Sequence, residues 1–418
     1  MTQASVSALT SASQDREGND PIFRLNSEAK ARAAAGESIL DATMGALMDD
    51  EGQIAVMPSV AEAIARVPTG KAAGYSPISG SPPFLDAVRR DLLGNSDLFP
   101  KSVAVTTPGG SGAIYQAIKN FVEPGHQALT TDYYWGPYPV IAQHLERDVS
   151  TFGMFSPDLS FDLEAMKRGI RQHIDTQGRL LLILNFPCHN PTGYSLDLGE
   201  WMSIAEVVRA AGEEAPVAVL LDLAYHRFGG ESADLWIDAV PTMLETTTVL
   251  LAWTASKSFC QYGARIGSLV ALHPDQEERN KLANALGFTC RATWSNSNHL
   301  GQLAVTDLLV DPELSQRADT DRAELVELLR TRVEAFNSAA SAAELHVPRY
   351  DGGFFVVVFT PDGEKTAAVM REMGVYVIPL EGAVRVALCA TPEAEIPRLI
   401  AALRAGVDKA EAEQGSSA

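Results

Sequence analysis

Four stretches of the chain end in residues that do chemistry. In residues 249–267, VLLAWTASKSFCQYGARIG, an apolar run breaks off at Thr254, Ser256 and Lys257, and Arg265 follows eight positions after the lysine. An amine at the end of a buried strand, flanked by small hydroxyls, can hold an aldehyde as a Schiff base. Taken alone, such a lysine reads first as a surface residue closing a strand. Three further runs of the same form change that reading. Residues 103–106 lead into TPGGSG, residues 180–186 into PCHNPTG, and residues 217–223, which carry Asp222, into AYHRF. The glycine-rich turn is an anion-binding arrangement: bare N–H groups of Gly110, Ser111 and Gly112 at the positive start of a helix can wrap a phosphate, with the Ser111 hydroxyl as an added donor. It is neither GxGxxG nor GxxxxGK[ST], so it points to neither a dinucleotide nor a nucleoside triphosphate.

The elements that must position these residues follow from the patterning. Continuous apolar strands alternating with helical stretches, such as residues 113–121 and 198–211, predict an α/β fold with a mostly parallel sheet covered on both faces. In such sheets ligands bind beyond the carboxyl ends of the strands, where all the polar residues named above fall. Residues 85–93 read as a helix, and the loop before it, KAAGYSPISGSPPF, carries a lone Tyr75. Residues 303–310 and 318–335 are amphipathic and helical. DGGFFVVVFT, GVYVIPL and AVRVAL then read as short strands; in the last of these the period of two turns Val384 and Val386 to one face and Arg385 to the other. A final helix is expected to open at TPEAE, with Thr391 as its cap and Pro392 in its first position. Near the amino end the strand-like LDATMGALMDDEG has Gly45 at its middle, which allows either a bend or the close approach of a ligand.

A chain of 418 residues exceeds the roughly 250–300 residues at which one core stops growing, so two domains are expected. The expected division is a flexible amino-terminal arm (1–20), the first part of a smaller domain (21–54), a large domain (55–315) and the second part of the smaller, discontinuous α+β domain (316–418). The first twenty residues lack the basic start and apolar core of a secretory signal; a disordered tail and an arm lying on a neighbouring subunit both remain open. With 46% hydrophobic and 21% charged residues the composition is that of a globular protein. The net charge of −20 argues against a nucleic acid or an anionic membrane as partner. Cys188, Cys260, Cys290 and Cys389 show no CxxC spacing, which points to reduced thiols in a cytoplasmic protein, with no disulfide framework and no zinc site.

TPGGSGA, CHNPTG, DLAY, SKxxxxxGxRxG and the late arginine, in that order across residues 20–404, resemble the aspartate/aromatic aminotransferase family of pyridoxal-phosphate enzymes. The resemblance implies a fold type I transferase, pyridoxal 5'-phosphate as cofactor, and Lys257 as the lysine that holds it. Asp222 then keeps the pyridine nitrogen protonated, Asn190 and Tyr225 bond the phenolic oxygen, and Trp135 stacks on the ring. The phosphate lies among Gly110, Ser111, Gly112, Thr254 or Ser256, and Arg265. Tyr75 corresponds to a tyrosine that reaches the phosphate of the neighbouring subunit, which makes the protein a homodimer with shared active sites. Arg385 matches the arginine for the substrate α-carboxylate, and Arg291 the arginine given by the partner subunit to a side-chain carboxylate; Gly45, Trp135 and Asn190 complete the implied substrate surface.

The departures from the family pattern concern the substrate end and the residue behind Asp222. Met44, Met48 and Ile54 line the entrance where aspartate-preferring relatives are more polar, Ser111 replaces a threonine, and SNSN replaces SNPP. Tyr138 stands where a histidine usually backs Asp222, leaving His189 as the expected supporting group. The implied reaction is ping-pong transfer of an amino group between an aspartate-type or aromatic L-amino acid and a 2-oxo acid such as 2-oxoglutarate. A C–S or β-elimination lyase on the same scaffold and a non-catalytic binding protein are the alternatives.

Overall fold

The apolar runs come together as one sheet of seven strands: β1 (Ser102–Pro108), β2 (Gln127–Thr131), β3 (Asp148–Phe152), β4 (Leu180–Leu184), β5 (Val217–Asp222), β6 (Thr248–Thr254) and β7 (Ile266–Leu272). Their order is β1-β7-β6-β5-β4-β2-β3. This computed structural model describes residues 7–417 except 15, 17, 19 and 20. Every neighbouring pair is parallel except those of β7, which runs antiparallel to both β1 and β6. β4 and β5 are buried along their whole length, as a sheet covered on both faces requires. The period of two sorts their side chains: Leu182, Leu184, Val219, Leu221 and Leu251 join one apolar cluster, while Leu181, Ile183, Leu220 and Leu250 join another on the opposite face.

Helices cover both faces. Leu198–Glu214 starts at a capping box in which Asp197 and Glu200 satisfy each other's backbone N–H groups. Gly109–Phe121 starts directly at the end of β1 with Pro108 before it and no side-chain cap, so its first N–H groups face the cleft.

A second apolar core gathers around a three-stranded antiparallel sheet in the order β9-β10-β8, made of β8 (Phe355–Phe359), β9 (Ile378–Leu380) and β10 (Ala383–Ala387). Leu40, Ala42 and Leu47 from the amino end pack into it with Leu399 and Leu403 of the last helix, and Leu40–Asp41 pairs in parallel with Val375–Tyr376. We propose that this core is the smaller, discontinuous domain, formed by residues 21–54 and 316–418 around the large domain of 55–315. The helix Pro312–Ala342 runs unbroken through the second boundary: Leu314 and Ala318 belong to the large core, Leu329, Val333 and Phe336 to the smaller one. Of the expected amino-terminal arm, residues 1–6, 15, 17, 19 and 20 lie outside the described residues, and Ser11–Gln14 forms one helical turn.

One local expectation is corrected. Thr391 does not cap the final helix; it closes the 3-10 turn Leu388–Ala390 that follows β10 and, buried there, its hydroxyl donates to the Ala387 carbonyl at the end of the strand at 3.2 Å. The chain then makes a 3-10 turn, Glu393–Glu395, before Ile396–Ser417 becomes α-helical. Among the described residues no helix is long and apolar enough to cross a membrane. All four cysteines are buried and free.

Candidate active site

A cleft of about 400 Å³ opens at the carboxyl ends of β1, β4, β5 and β6. At its anion end Arg265 lies across the start of the helix Gly109–Phe121. Its Nη2 donates to the Pro108 carbonyl at 3.3 Å and reaches Ser111 Oγ at 3.4 Å, and its Nη1 donates to the Tyr262 carbonyl at 2.9 Å and reaches Ser256 Oγ at 3.4 Å. The guanidinium occupies space that only a glycine leaves: a Cβ on Gly109, whose φ is +71°, would stand 2.5 Å from Nη2. Thr254 caps the short helix Ala255–Ser258 by accepting from the Ser256 N–H, and its hydroxyl donates to Ser256 Oγ at 3.0 Å. Gly110, Ser111, Thr254, Ser256 and Arg265 all line the cleft. Gly112 sits behind them, where a Cβ would collide with Pro108.

Lys257 projects from that short helix into the same cleft. The surrounding protein pushes its amine down to about 8; Asp222 opposes this, and Arg265 adds to it. Asp222, at the last position of β5, is buried. Burial pushes its carboxyl up, against the pull of the Tyr138 O–H, the Lys257 ammonium and the Ala224 N–H. The Tyr138 hydroxyl donates to Asp222 Oδ2 at 2.8 Å, and the Ala224 N–H to Oδ1 at 3.2 Å. The expected support from His189 is therefore corrected: its ring stacks on Phe186 and its nitrogens contact Thr131 Oγ1 and Thr192 Oγ1, with no bond to Asp222. Burial holds that imidazole down to about 3, so it stays neutral. The phenol occupies the place expected of an imidazole, and Tyr138 is fully buried there with Trp135 edge-on at 5.5 Å.

Asn190 and Tyr225 meet as expected, the amide Nδ2 donating to the phenol at 3.3 Å. Asn185 was missed, although the pattern offered a signal in an amide closing the apolar run LLLIL. Buried, it accepts from the Asn190 N–H at 2.8 Å and donates to the Asp222 carbonyl at 2.8 Å, so it fixes the ends of β4 and β5 together.

The residues expected to meet the substrate come from the smaller core. Arg385 is buried in the middle of β10, donates to the Thr43 carbonyl at 2.8 Å, reaches Asn190 Oδ1 at 3.5 Å, and lies over the Phe355 ring at 4.4 Å. Gly45 passes that ring so closely that a Cβ would be 2.5 Å from Phe355 Cζ. Phe355, unforeseen, thus sets both the arginine's bed and the need for glycine. Two expected residues are not brought to the cleft within one chain: Tyr75 is 90% exposed, and Arg291 is exposed at the end of Gln276–Ala292 with Nη1 on Ser295 Oγ at 2.7 Å.

A mostly parallel sheet whose strand ends join an enclosed lysine, a buried carboxylate and an arginine-backed helix start defines a fold type I pyridoxal-phosphate transferase. Residues 38–403 match the family described as aminotransferase class I and II, and the chain belongs to that family. It is 30% identical to the aromatic-amino-acid aminotransferase of Paracoccus denitrificans over 86% of this chain and 91% of that one. To the aspartate aminotransferase of Pseudomonas aeruginosa it is 26% identical, covering 86% and 90%. The crystal structure of an aminotransferase from Anaerococcus prevotii superposes with a TM-score of 0.90 at 27% identity, covering 96% of this chain and all of that one. The protein is thus a pyridoxal-phosphate-dependent aminotransferase acting on amino acids and 2-oxo acids. The residues present fit the cofactor: the Arg265 guanidinium, seated against Gly109, faces the cleft with the Ser111, Thr254 and Ser256 hydroxyls as donors for a phosphate, and an enclosed amine shares the cleft with a buried carboxylate.

Proposed function

We propose that the cleft moves an amino group between an aromatic or aspartate-type L-amino acid and a 2-oxo acid such as 2-oxoglutarate in two half-reactions. The observation that carries this is the placing of the Lys257 amine in one cleft with the buried Asp222 carboxylate and Arg265; burial lowers its pKa to about 8. When bound, the cofactor supplies an aldehyde carbon and an electron-withdrawing ring. Lys257 would hold that aldehyde, and its Nζ would be the base that takes the proton from the donor's α-carbon. Asp222, kept as an acceptor by Tyr138 and Ala224, holds a proton on the ring nitrogen. Asn190 and Tyr225 bond the phenolic oxygen, and Trp135 covers the ring. Arg265, Ser111, Thr254, Ser256 and the N–H groups of Gly110 and Gly112 hold the phosphate. Arg385 would orient the substrate α-carboxylate as a planar fork, with Gly45 letting the substrate-side segment pack against the Phe355 ring beneath it. Names of relatives on both sides, aromatic and aspartate, together with the apolar Met44, Met48 and Ile54 beside a retained Arg291, support dual use.

Exposed Tyr75 (90%) and Phe288 (75%) support a homodimer in which Tyr75 and Arg291 complete the neighbour's site. The free, buried cysteines support a cytoplasmic setting. Adding single amino acids to the cofactor-loaded protein and following the cofactor's absorbance tests the reading. Response to glutamate and to phenylalanine or tyrosine is expected; silence towards glutamate removes the dicarboxylate assignment, and silence towards the aromatic donors removes the other. Release of pyruvate without a stable amine form of the cofactor would indicate the lyase chemistry, which the aminotransferase relatives do not favour.

A further inference from the structure

A link unused so far joins the phosphate end to the substrate entrance. Tyr262 lies in the 3-10 turn Tyr262–Ala264, between Lys257 and Arg265. Its carbonyl accepts from Arg265 Nη1 at 2.9 Å, and its hydroxyl oxygen accepts from the Leu47 N–H at 2.9 Å. One residue therefore holds the anion-end arginine with its backbone and the entrance segment with its side chain. Leu47 is fully buried, so its N–H has no water to turn to if the phenol is removed. Cys260 and Arg265, which bracket the turn, have φ of +51° and +53°, a region that residues other than glycine keep only when surrounding contacts enforce it.

The far side of the link is where substrate is met. Leu47 follows Thr43, Met44 and Gly45; Thr43 gives its carbonyl to Arg385, and Gly45 presses on Phe355 beneath the same guanidinium. Met48 continues the segment, donating to the Cys389 carbonyl at 3.0 Å and pairing with Ile54 across a turn. The phenol is enclosed by protein, which raises its pKa well above the ordinary tyrosine value and keeps it neutral at working pH.

We infer that Tyr262 is a positioning residue that registers the entrance segment, residues 43–48, against Arg265, so that anion binding at one end and the placement of Arg385 at the other are coupled. The inference rests on the transaminase reading of the cleft. Coupling of this kind is reciprocal: an anion at Arg265 that fixes Tyr262 also steadies Leu47.

Tyr262→Phe tests it, because the ring stays in place against the smaller core and only the hydroxyl is lost, which accepts from Leu47 and also contacts the Cys260 thiol. In the cofactor-free protein, hydrogen exchange at the Leu47 amide is expected to be about tenfold faster in the variant. Inorganic phosphate is expected to slow that exchange in the wild type and to leave the variant unchanged. In steady state, KM for amino donors is expected to rise about fivefold while kcat stays within about twofold. A merely structural role would lower Tm and leave KM and the phosphate response as they are, and that result overturns the inference. If the variant does not fold, the wild-type measurement decides alone: no phosphate effect on Leu47 exchange overturns the coupling. A wild type without transamination counts against the reading of the cleft, whereas an active wild type with an indifferent Tyr262→Phe counts against Tyr262.

Discussion

The two ends of the cleft are built in different ways. At the phosphate end, Gly110, Ser111, Thr254 and Ser256 stand at the termini of strands in one sheet, and Arg265 fits a space defined by the missing Cβ of Gly109. At the substrate end, Arg385 comes from the smaller core, Gly45 from a segment more than three hundred positions earlier in the chain, and Arg291 and Tyr75 point away on the surface. The first end is assembled by backbone pairing within one core. The second is assembled by contacts between separate parts of the chain, and the proposed homodimer would add Tyr75 and Arg291 to it. A site built this way keeps its chemistry constant while its choice of substrate varies.

The largest break in that contrast comes at Lys257. Lys257→Ala should cut kcat by about 10⁴-fold or more for every donor alike, measured by product formation at saturation, because the proton-transferring group is gone. Arg291→Ala should act on one substrate class only: kcat/KM for glutamate falls about 100-fold, from loss of the charge that Arg291 would bring to the neighbour's site in the proposed homodimer, while the value for phenylalanine holds. Equal losses for both donors would erase the distinction between the two ends. Tyr138→Phe removes the phenol from Asp222 Oδ2 and should lower kcat/KM about tenfold for all donors, with a shift in the pH titration of the bound cofactor's absorbance. Cofactor capture by the cofactor-free protein should rise with pH through a midpoint near pH 8 and level off about one unit above it, because only the neutral Lys257 amine attacks and its pKa is lowered to about 8. A plateau only above about 10, where an ordinary lysine titrates, would mean the amine is not enclosed. The mildest effect is on stability: Gly109→Ala, at φ +71°, should lower Tm by about 3 °C and weaken cofactor binding.

The contrast also explains what could be read before any coordinates. β4, β5 and β6 announce themselves as apolar runs ending in Asn185, Asp222 and Thr254, so the cofactor residues appear in the chain as breaks in hydrophobicity. β2 and β3, QALTT and DVSTF, are short and polar enough at the sheet's edge to pass unnoticed, and β7 hid behind the motif that contains Arg265. Asn185 went unread because its work is done by backbone groups of Asn190 and Asp222, which no residue type advertises. His189 was chosen over Tyr138 because an imidazole is the more familiar proton donor. Which of two buried groups reaches Asp222 depends on the turn of the helix Pro137–His144, not on residue type. At the substrate end, Phe355 read as one more strand hydrophobe, since its contact with Gly45 joins segments far apart in the chain.

The pairing of β6 with β7 carries one more meaning. Thr254 lies opposite Gly267, and Gly267 in turn abuts Gly109 so tightly that a Cβ would meet the Gly109 carbonyl carbon at 2.5 Å. Three main chains therefore touch with no side chain between them, and the span from the amine's helix to the anion's arginine is measured out in peptide units. Such a ruler does not stretch when neighbouring side chains are exchanged. Drift in the surrounding core should register first as a lower melting temperature, long before it alters the distance on which the reaction depends.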